Sequence, residues 1–150
     1  MPRIGIISDT HGLLRPEAID ALRGCDHLLH AGDVGKPEIL TQLAAIAPLT
    51  AIRGNIDHWA HELPDTLSVT LFGKVFYLLH DRNSLDIDPA KQGIDVVVTG
   101  HSHKPALCQQ GSPIYLNPGS AGPRRFKLPI TLAIASIDDT KIDFEIISLV

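Results

Sequence analysis

Cysteine is scarce in this chain. Only Cys25 and Cys108 occur among 150 residues, and they form no C-x-x-C pair. That excludes a disulfide framework and a zinc ribbon, and it fits a reducing compartment. There is no excess of positive charge. The formal net charge of −4 gives no basic footprint for nucleic acid, and the adjacent Arg124 and Arg125 suit a solvated loop. No apolar run is long enough to span a membrane, and the run ending before Asp9 is too short for the core of a signal peptide. The expected place is the cytoplasm. Internal repeats, low-complexity segments and linkers are also missing, so residues 1–150 are expected to form a single domain with one good core. What is plentiful is histidine, with eight in a chain of only 5% aromatic residues.

In chain order, residues 3–8 form a short apolar segment suited to a buried strand, and it ends in Asp9-Thr10-His11-Gly12. Residues 14–23 predict a helix, with Pro16 in its first turn, Ile19 and Leu22 on one face and Gly24 at its stop. A strand over 26–30 leads to Ala31-Gly32-Asp33. A second helix over 37–47 places Ile39, Leu43 and Ile46 together and is closed by Pro48. A third strand over 49–53 ends in Gly54-Asn55. Strand, helix, strand, helix, strand implies right-handed crossovers and a parallel sheet.

The second half changes character. Residues 57–64 are a polar loop holding His58, Trp59 and His61, either a cover for a site or a surface connection. Strands over 67–72 and 74–79 meet at Gly73 in a hairpin, and His80-Asp81 follows. Residues 82–93 predict a short helix. A β-branched strand over 94–99 then stops at Gly100-His101-Ser102-His103. Further strands are expected over 105–110, 113–117, 128–137 and 141–150. Two facing sheets, part parallel and part antiparallel, with helices outside, are the expected architecture.

Seven side chains fall just past these strand ends: Asp9, His11, Asp33, Asn55, His80, His101 and His103. Each has an ordinary structural alternative. Asp9 could cap a helical turn, Asp33 could serve a turn, Asn55 could sit in a left-handed turn, and His80 could close its strand. The paired histidines, two apart in an extended chain, point the same way, and could be exposed turn residues. Together the seven suit divalent ions that accept imidazole with carboxylate and amide oxygen, such as Mn²⁺, Fe²⁺, Ni²⁺ or Zn²⁺, rather than Ca²⁺. Seven ligands are too many for one tetrahedral site. They suit two ions sharing one carboxylate.

The order D-x-H, G-D, G-N, H, G-H-x-H resembles the calcineurin-like metallophosphoesterase superfamily. The local sequences agree: Ser8-Asp9-Thr10-His11-Gly12, His30-Ala31-Gly32-Asp33, Arg53-Gly54-Asn55, Gly100-His101-Ser102-His103 and Asn117-Pro118-Gly119-Ser120. The compact length resembles the small prokaryotic phosphodiesterase branch. The resemblance implies an α/β fold, a four-layer αββα sandwich of two mixed sheets flanked by helices. It also implies two divalent ions per chain, manganese foremost. One ion would take Asp9, His11, Asp33 and His103. The other would take Asp33, Asn55, His80 and His101, with Asp33 bridging and with Asp33, Asn55 and His80 as the catalytic set.

By the same resemblance, the ions would activate a bridging water for in-line attack on a phosphate-ester small molecule, most simply a phosphodiester. A phosphomonoesterase or nucleotide phosphatase with the same site is one alternative, and a non-catalytic scaffold of the same fold is another. Arg53 and Arg124 are candidates to touch phosphate. Two positions depart from the family pattern. His80 is followed by Asp81 where glycine is usual. Asn55 is followed by Ile56, which has no proton for a leaving group, so the rate is expected to depend on the leaving group. Asp57 and His58 are the nearest substitutes. Finally, the apolar strand ending the chain suggests an edge that a second copy would cover, hence a homo-oligomer.

Overall fold

The computed structural model describes residues 1–109, 111–139 and 141–150. Ten strands and two α-helices follow in the order β1 (Arg3–Ile7), α1 (Pro16–Leu22), β2 (His27–His30), α2 (Pro37–Ala44), β3 (Leu49–Ala51), β4 (Thr66–Leu71), β5 (Lys74–Leu79), β6 (Val96–Val98), β7 (Ala106–Cys108), β8 (Ile114–Asn117), β9 (Thr131–Ile137) and β10 (Ile142–Ser148). Apart from the helix expected over 82–93, the elements are those expected, and most end a residue or more sooner than their apolar patterns suggest. The expected strand over 105–110 has its last residue, Gln110, outside the described residues.

Two five-stranded mixed sheets result. The first has the order β10-β9-β1-β2-β3 and the second β4-β5-β6-β8-β7. In the first sheet β1, β2 and β3 run parallel, with Ile4 opposite His27 and Leu28 opposite Leu49. In the second, β5, β6 and β8 run parallel, with Phe76 opposite Val96 and Val96 opposite Ile114. β9 joins the first parallel set antiparallel on one side, and β4 and β7 flank the second on both. Parallel strands end on one edge, so the loops after β1, β2, β3, β5, β6 and β8 gather there. Open α/β sheets bind their ligands at that edge.

Alternation along β1 divides the core. Ile4 and Ile6 face the second sheet and pack with Leu29, Phe76, Val96, Val98 and Leu116. Ile7 faces the helices, with Leu22 of α1 and Ile39 and Leu43 of α2. A β-carbon at Gly5 would overlap Leu22 and Leu28, so glycine allows α1 to lie flat on β1. The outer face of the second sheet is thinly covered. Where a helix is predicted over 82–93, the chain makes a single 3₁₀ turn, Arg82–Ser84, and continues as a loop. That loop lays Leu85 and Ile87 on Tyr77, Val97 and Tyr115. Pro89 and Gly93 interrupt the segment before a longer helix can form.

β10 is the edge strand that the homo-oligomer expectation requires. Its apolar Ile142, Phe144 and Ile146 nevertheless pack into the core between the sheets, while Asp143 and Glu145 face outward. The side chains that suggested a covering partner are thus partly buried against this chain's own core.

Candidate metal centre

The strand-end loops are held by backbone hydrogen bonds that continue the sheets. Asp9 N–H donates to the Gly32 carbonyl at 3.0 Å, His11 N–H to Asp33 at 2.9 Å, and Gly100 N–H to His80 at 2.9 Å. Within this frame all seven candidate residues converge. The side chains of Asp9, His11 and His103 form one compact group, and those of Asp33, His80 and His101 form another. Asn55 lies against the second group.

This geometry changes the reading of G-H-S-H. The chain there is not extended. His101 and His103 have φ of 70° and 63°, and they turn into different groups. His103 stacks at an angle near His11, and His101 meets His80 edge-on, each pair with ring centres 5.2 Å apart. Asp9, His11 and Asp33 also lie in the left-handed region, at φ of 55°, 47° and 56°. Non-glycine residues seldom adopt that conformation, and it collects at functional sites where the surroundings enforce it. Asn55 is not among them, so the left-handed alternative for that residue does not hold.

The polar contacts around the cluster suit a cation. Asp9 Oδ2 accepts from the Ser8 hydroxyl at 2.8 Å and from His101 N–H at 3.1 Å. Asp9 Oδ1 and His11 Nε2 are buried and have no hydrogen-bond partner. Such orphaned groups are costly unless something else satisfies them. His80 donates its Nδ1–H to the Ala31 carbonyl at 2.8 Å, which leaves the Nε2 lone pair 3.1 Å from Asp33 Oδ2. Two acceptors at that distance need a proton or a metal between them. The Asn55 amide oxygen also faces acceptors only: both Asp33 oxygens, His80 Nε2 and His101 Nδ1, at 3.1–3.3 Å. With no cation present the amide would turn its NH₂ to them. With a cation the oxygen is the right atom, so the donor set fits divalent metal.

The protonation states are arranged for the same end. Burial lowers the pKa of His103 to about 4, helped by the nearby charges of Arg125 and His11. Burial lowers His11 as well, against the pull of Asp33. Both imidazoles are therefore neutral and able to coordinate. Burial raises Asp9 to about 6, outweighing the favourable charge of His80. His80 is raised although burial opposes it, because the hydrogen bond to Asp33 and the charge of Asp9 prevail. Metal must displace the protons on Asp9 and His80. We therefore expect Mn²⁺ affinity, measured by calorimetry from pH 8 to pH 5, to fall by about tenfold per unit below pH 6. An affinity that is flat through that window would exclude Asp9 as a ligand.

Of the two expected phosphate contacts, Arg53 lines a cavity that it shares with Asn55, His80 and His101. Arg53 is held by Asp65, with Nε and a terminal nitrogen each 3.0 Å from Oδ1. Arg124 donates to the Leu128 carbonyl at 3.3 Å, in an exposed loop. Its neighbour Arg125 is the arginine whose charge acts on His11 and His103. The sequence marks the pair, but alternation in a loop gives no way to choose between them. Asp57, a possible proton donor in the sequence, is fully engaged: its carboxylate accepts N–H groups of Val34, Gly35 and Gly54 at 2.9–3.0 Å. The 57–64 loop packs beside α2, where Trp59 joins the helix-side core, rather than over the cluster. A brace that sequence reasoning left without a role is Asn117. It supports the G-H-S-H loop through Gly100 at 2.9 Å and Ser102 at 3.1 Å.

Comparison with known proteins gives the family. Residues 2–140 match the model of the calcineurin-like phosphoesterase superfamily domain, and the chain belongs to that family, whose members are metal-dependent and act on phosphate esters. It is 37% identical to a probable metallophosphoesterase of Methanothermobacter thermautotrophicus, over 96% of this chain and 91% of the relative. Among solved structures, an archaeal phosphodiesterase superposes with a TM-score of 0.78 at 22% identity, covering 97% of this chain and 99% of that one. Entamoeba histolytica Vps29 complexed with zinc superposes at 0.76 with 22% identity, covering 98% and 99%. These two likenesses show the fold.

Proposed function

We propose that this chain, acting as one domain, is a phosphodiesterase with two divalent ions, manganese foremost, on a small-molecule substrate. Asp9, His11, Asp33 and His103 hold one ion, and Asp33, Asn55, His80 and His101 hold the other. The observation that carries this reading is the position of Asp33. Its Oδ2 lies 3.1 Å from His80 Nε2 of one group and 3.5 Å from His11 Nε2 of the other, as a shared ligand requires. When bound, the ions would supply a water of lowered pKa as nucleophile and neutralise charge on the phosphate oxygens.

The chain's own residues do the positioning. Ser8 and the His101 N–H fix the Asp9 carboxylate. The Ala31 carbonyl fixes the His80 ring, an outer partner of the kind that orients ligating histidines. Charge favours a diester over a monoester. Arg53 is paired with Asp65, Arg125 is the arginine whose charge acts on His11 and His103, and a diester carries one negative charge where a monoester carries two. Directly after Asn55, Ile56 has no proton to give and the Asp57 carboxylate is taken by backbone N–H groups.

The test is hydrolysis of aryl diesters and of p-nitrophenyl phosphate with Mn²⁺, alongside metal analysis. We expect two ions per chain, faster cleavage of bis(p-nitrophenyl) phosphate than of the monoester, and complete loss in chelator. Across diesters of rising leaving-group pKa the rate should fall steeply, since general acid assistance worth about 10²–10⁴-fold is missing. Preference for the monoester would make the protein a phosphatase. Hydrolysis of neither ester would favour a scaffold.

A further inference from the structure

Beside the candidate metal centre, with His101 as the shared wall, lies a cavity of about 340 Å³. That is at the small end for ligand pockets, roughly 300–1,000 Å³. Two cations line it, Arg82 from the 3₁₀ turn and Lys104 from the loop after His103. The Arg82 guanidinium is held flat against one wall, 4.2 Å above the centre of the Tyr115 ring. Among the described residues, the arginine ion pairs are Arg23 with Asp20 and Arg53 with Asp65; Arg82 and Lys104 have no acidic partner.

The cavity's one carboxylate does not serve them. Asp81 Oδ1 accepts the Asn83 N–H at 3.0 Å, and Oδ2 is directed to His101 Nε2 at 3.9 Å. Two of the neutral groups are engaged as well. The Asn117 NH₂ donates to Gly100 and to the Ser102 hydroxyl oxygen, which also accepts the Lys104 N–H. Two exposed cations without an acidic partner, on the wall of one concave site, favour an anion there, which an arginine fork and a lysine point charge both suit.

We propose that this cavity binds an anionic group carried by one ester substituent of the substrate. The preferred substrates are then phosphodiesters bearing a second phosphate or a carboxylate. The proposal rests on the phosphodiesterase reading above and narrows it to a substrate class. Recognition falls to Arg82 and Lys104, neither of which belongs to the metal cluster.

Three mixed p-nitrophenyl diesters test it, with 3-phosphopropyl, 3-carboxypropyl or n-butyl as the second substituent and p-nitrophenolate as the readout. In the wild type, kcat/KM for at least one charged diester should exceed that for the butyl diester by about tenfold to a hundredfold, the range expected for charge-assisted hydrogen bonds. The better of the two charged diesters identifies phosphate or carboxylate. Arg82→Gln and Lys104→Gln should each lower the charged-to-neutral ratio, and the double variant should bring it to about one. A wild-type ratio near one, or a ratio that persists in the double variant, overturns the proposal while leaving the phosphodiesterase reading intact. If no diester is cleaved, that reading fails, and binding decides the cavity separately. n-Propyl phosphate added to the protein as purified should shift the Arg82 side-chain and Lys104 amide NMR resonances, and propanol should not. Absence of those shifts overturns the assignment.

Discussion

In Asp33→Asn, diester hydrolysis falls by on the order of 10³-fold and both ions bind more weakly, while the chain stays folded. The size of the effect follows from where the carboxylate lies. Its Oδ2 sits between His80 and His11, one from each ligand group. The substitution removes the charge that both ions would share. The fold has little at stake, because the contact Asp33 makes outside the cluster is the Ile56 N–H on Oδ1, at 3.2 Å. The asparagine oxygen can accept that bond equally well. Activity assays with Mn²⁺ titration, paired with thermal unfolding of the metal-free variant, separate the two consequences. Activity equal to wild type would remove Asp33 from the proposed site.

Gly54→Ala should be nearly as severe for a different reason. A β-carbon at Gly54 would overlap the Asp33 backbone nitrogen and its carboxylate Oδ1. Gly54 also donates its N–H to Asp57, the carboxylate that ties the loops after β2 and β3 together. The alanine therefore pushes Asp33 away from the cluster. A displacement of about 1 Å at a positioned group costs about 10²-fold in rate, and overpacking costs about 1–3 kcal/mol in stability. Gly73→Ala is the control. Gly73 has a positive φ of 82° in the β4–β5 turn, but nothing lies within 4 Å of its β-carbon position. That substitution should cost about 1–2 kcal/mol in stability without loss of rate. Equal activity losses in the two alanine variants would show that Gly54 acts through general stability rather than through Asp33.

The sheets and the ligand cluster were legible because one periodic signal serves both. β-Branched and aliphatic runs mark the strands, and the polar residues that interrupt them mark the edge where the strands end. From β1 to Asp9 and from β6 to His101, reading the strand is enough to find the candidate. What the sequence hid was direction within the loops. Alternation predicts that His101 and His103 point together, yet left-handed backbone at both residues sends them to different groups. Nothing in the sequence chooses Arg125 over Arg124, because loop residues carry no periodicity. The polar residues in 57–64 conceal that Trp59 belongs to the core beside α2. The outer face of the second sheet was over-read as helix, since a few apolar residues cannot distinguish a helical turn from a loop that deposits Leu85 and Ile87 on the sheet.

The left-handed backbone at Asp9, His11, Asp33, His101 and His103 sets the interest of the fold against that of the site. Each of these five residues would be more comfortable as glycine, by roughly 1–2 kcal/mol where no compensating contact exists. Selection for stability alone would therefore erode the cluster one residue at a time, and each loss would make the remaining chain sturdier. A change at any of the five alters both how its loop turns and which donor atom the cluster keeps.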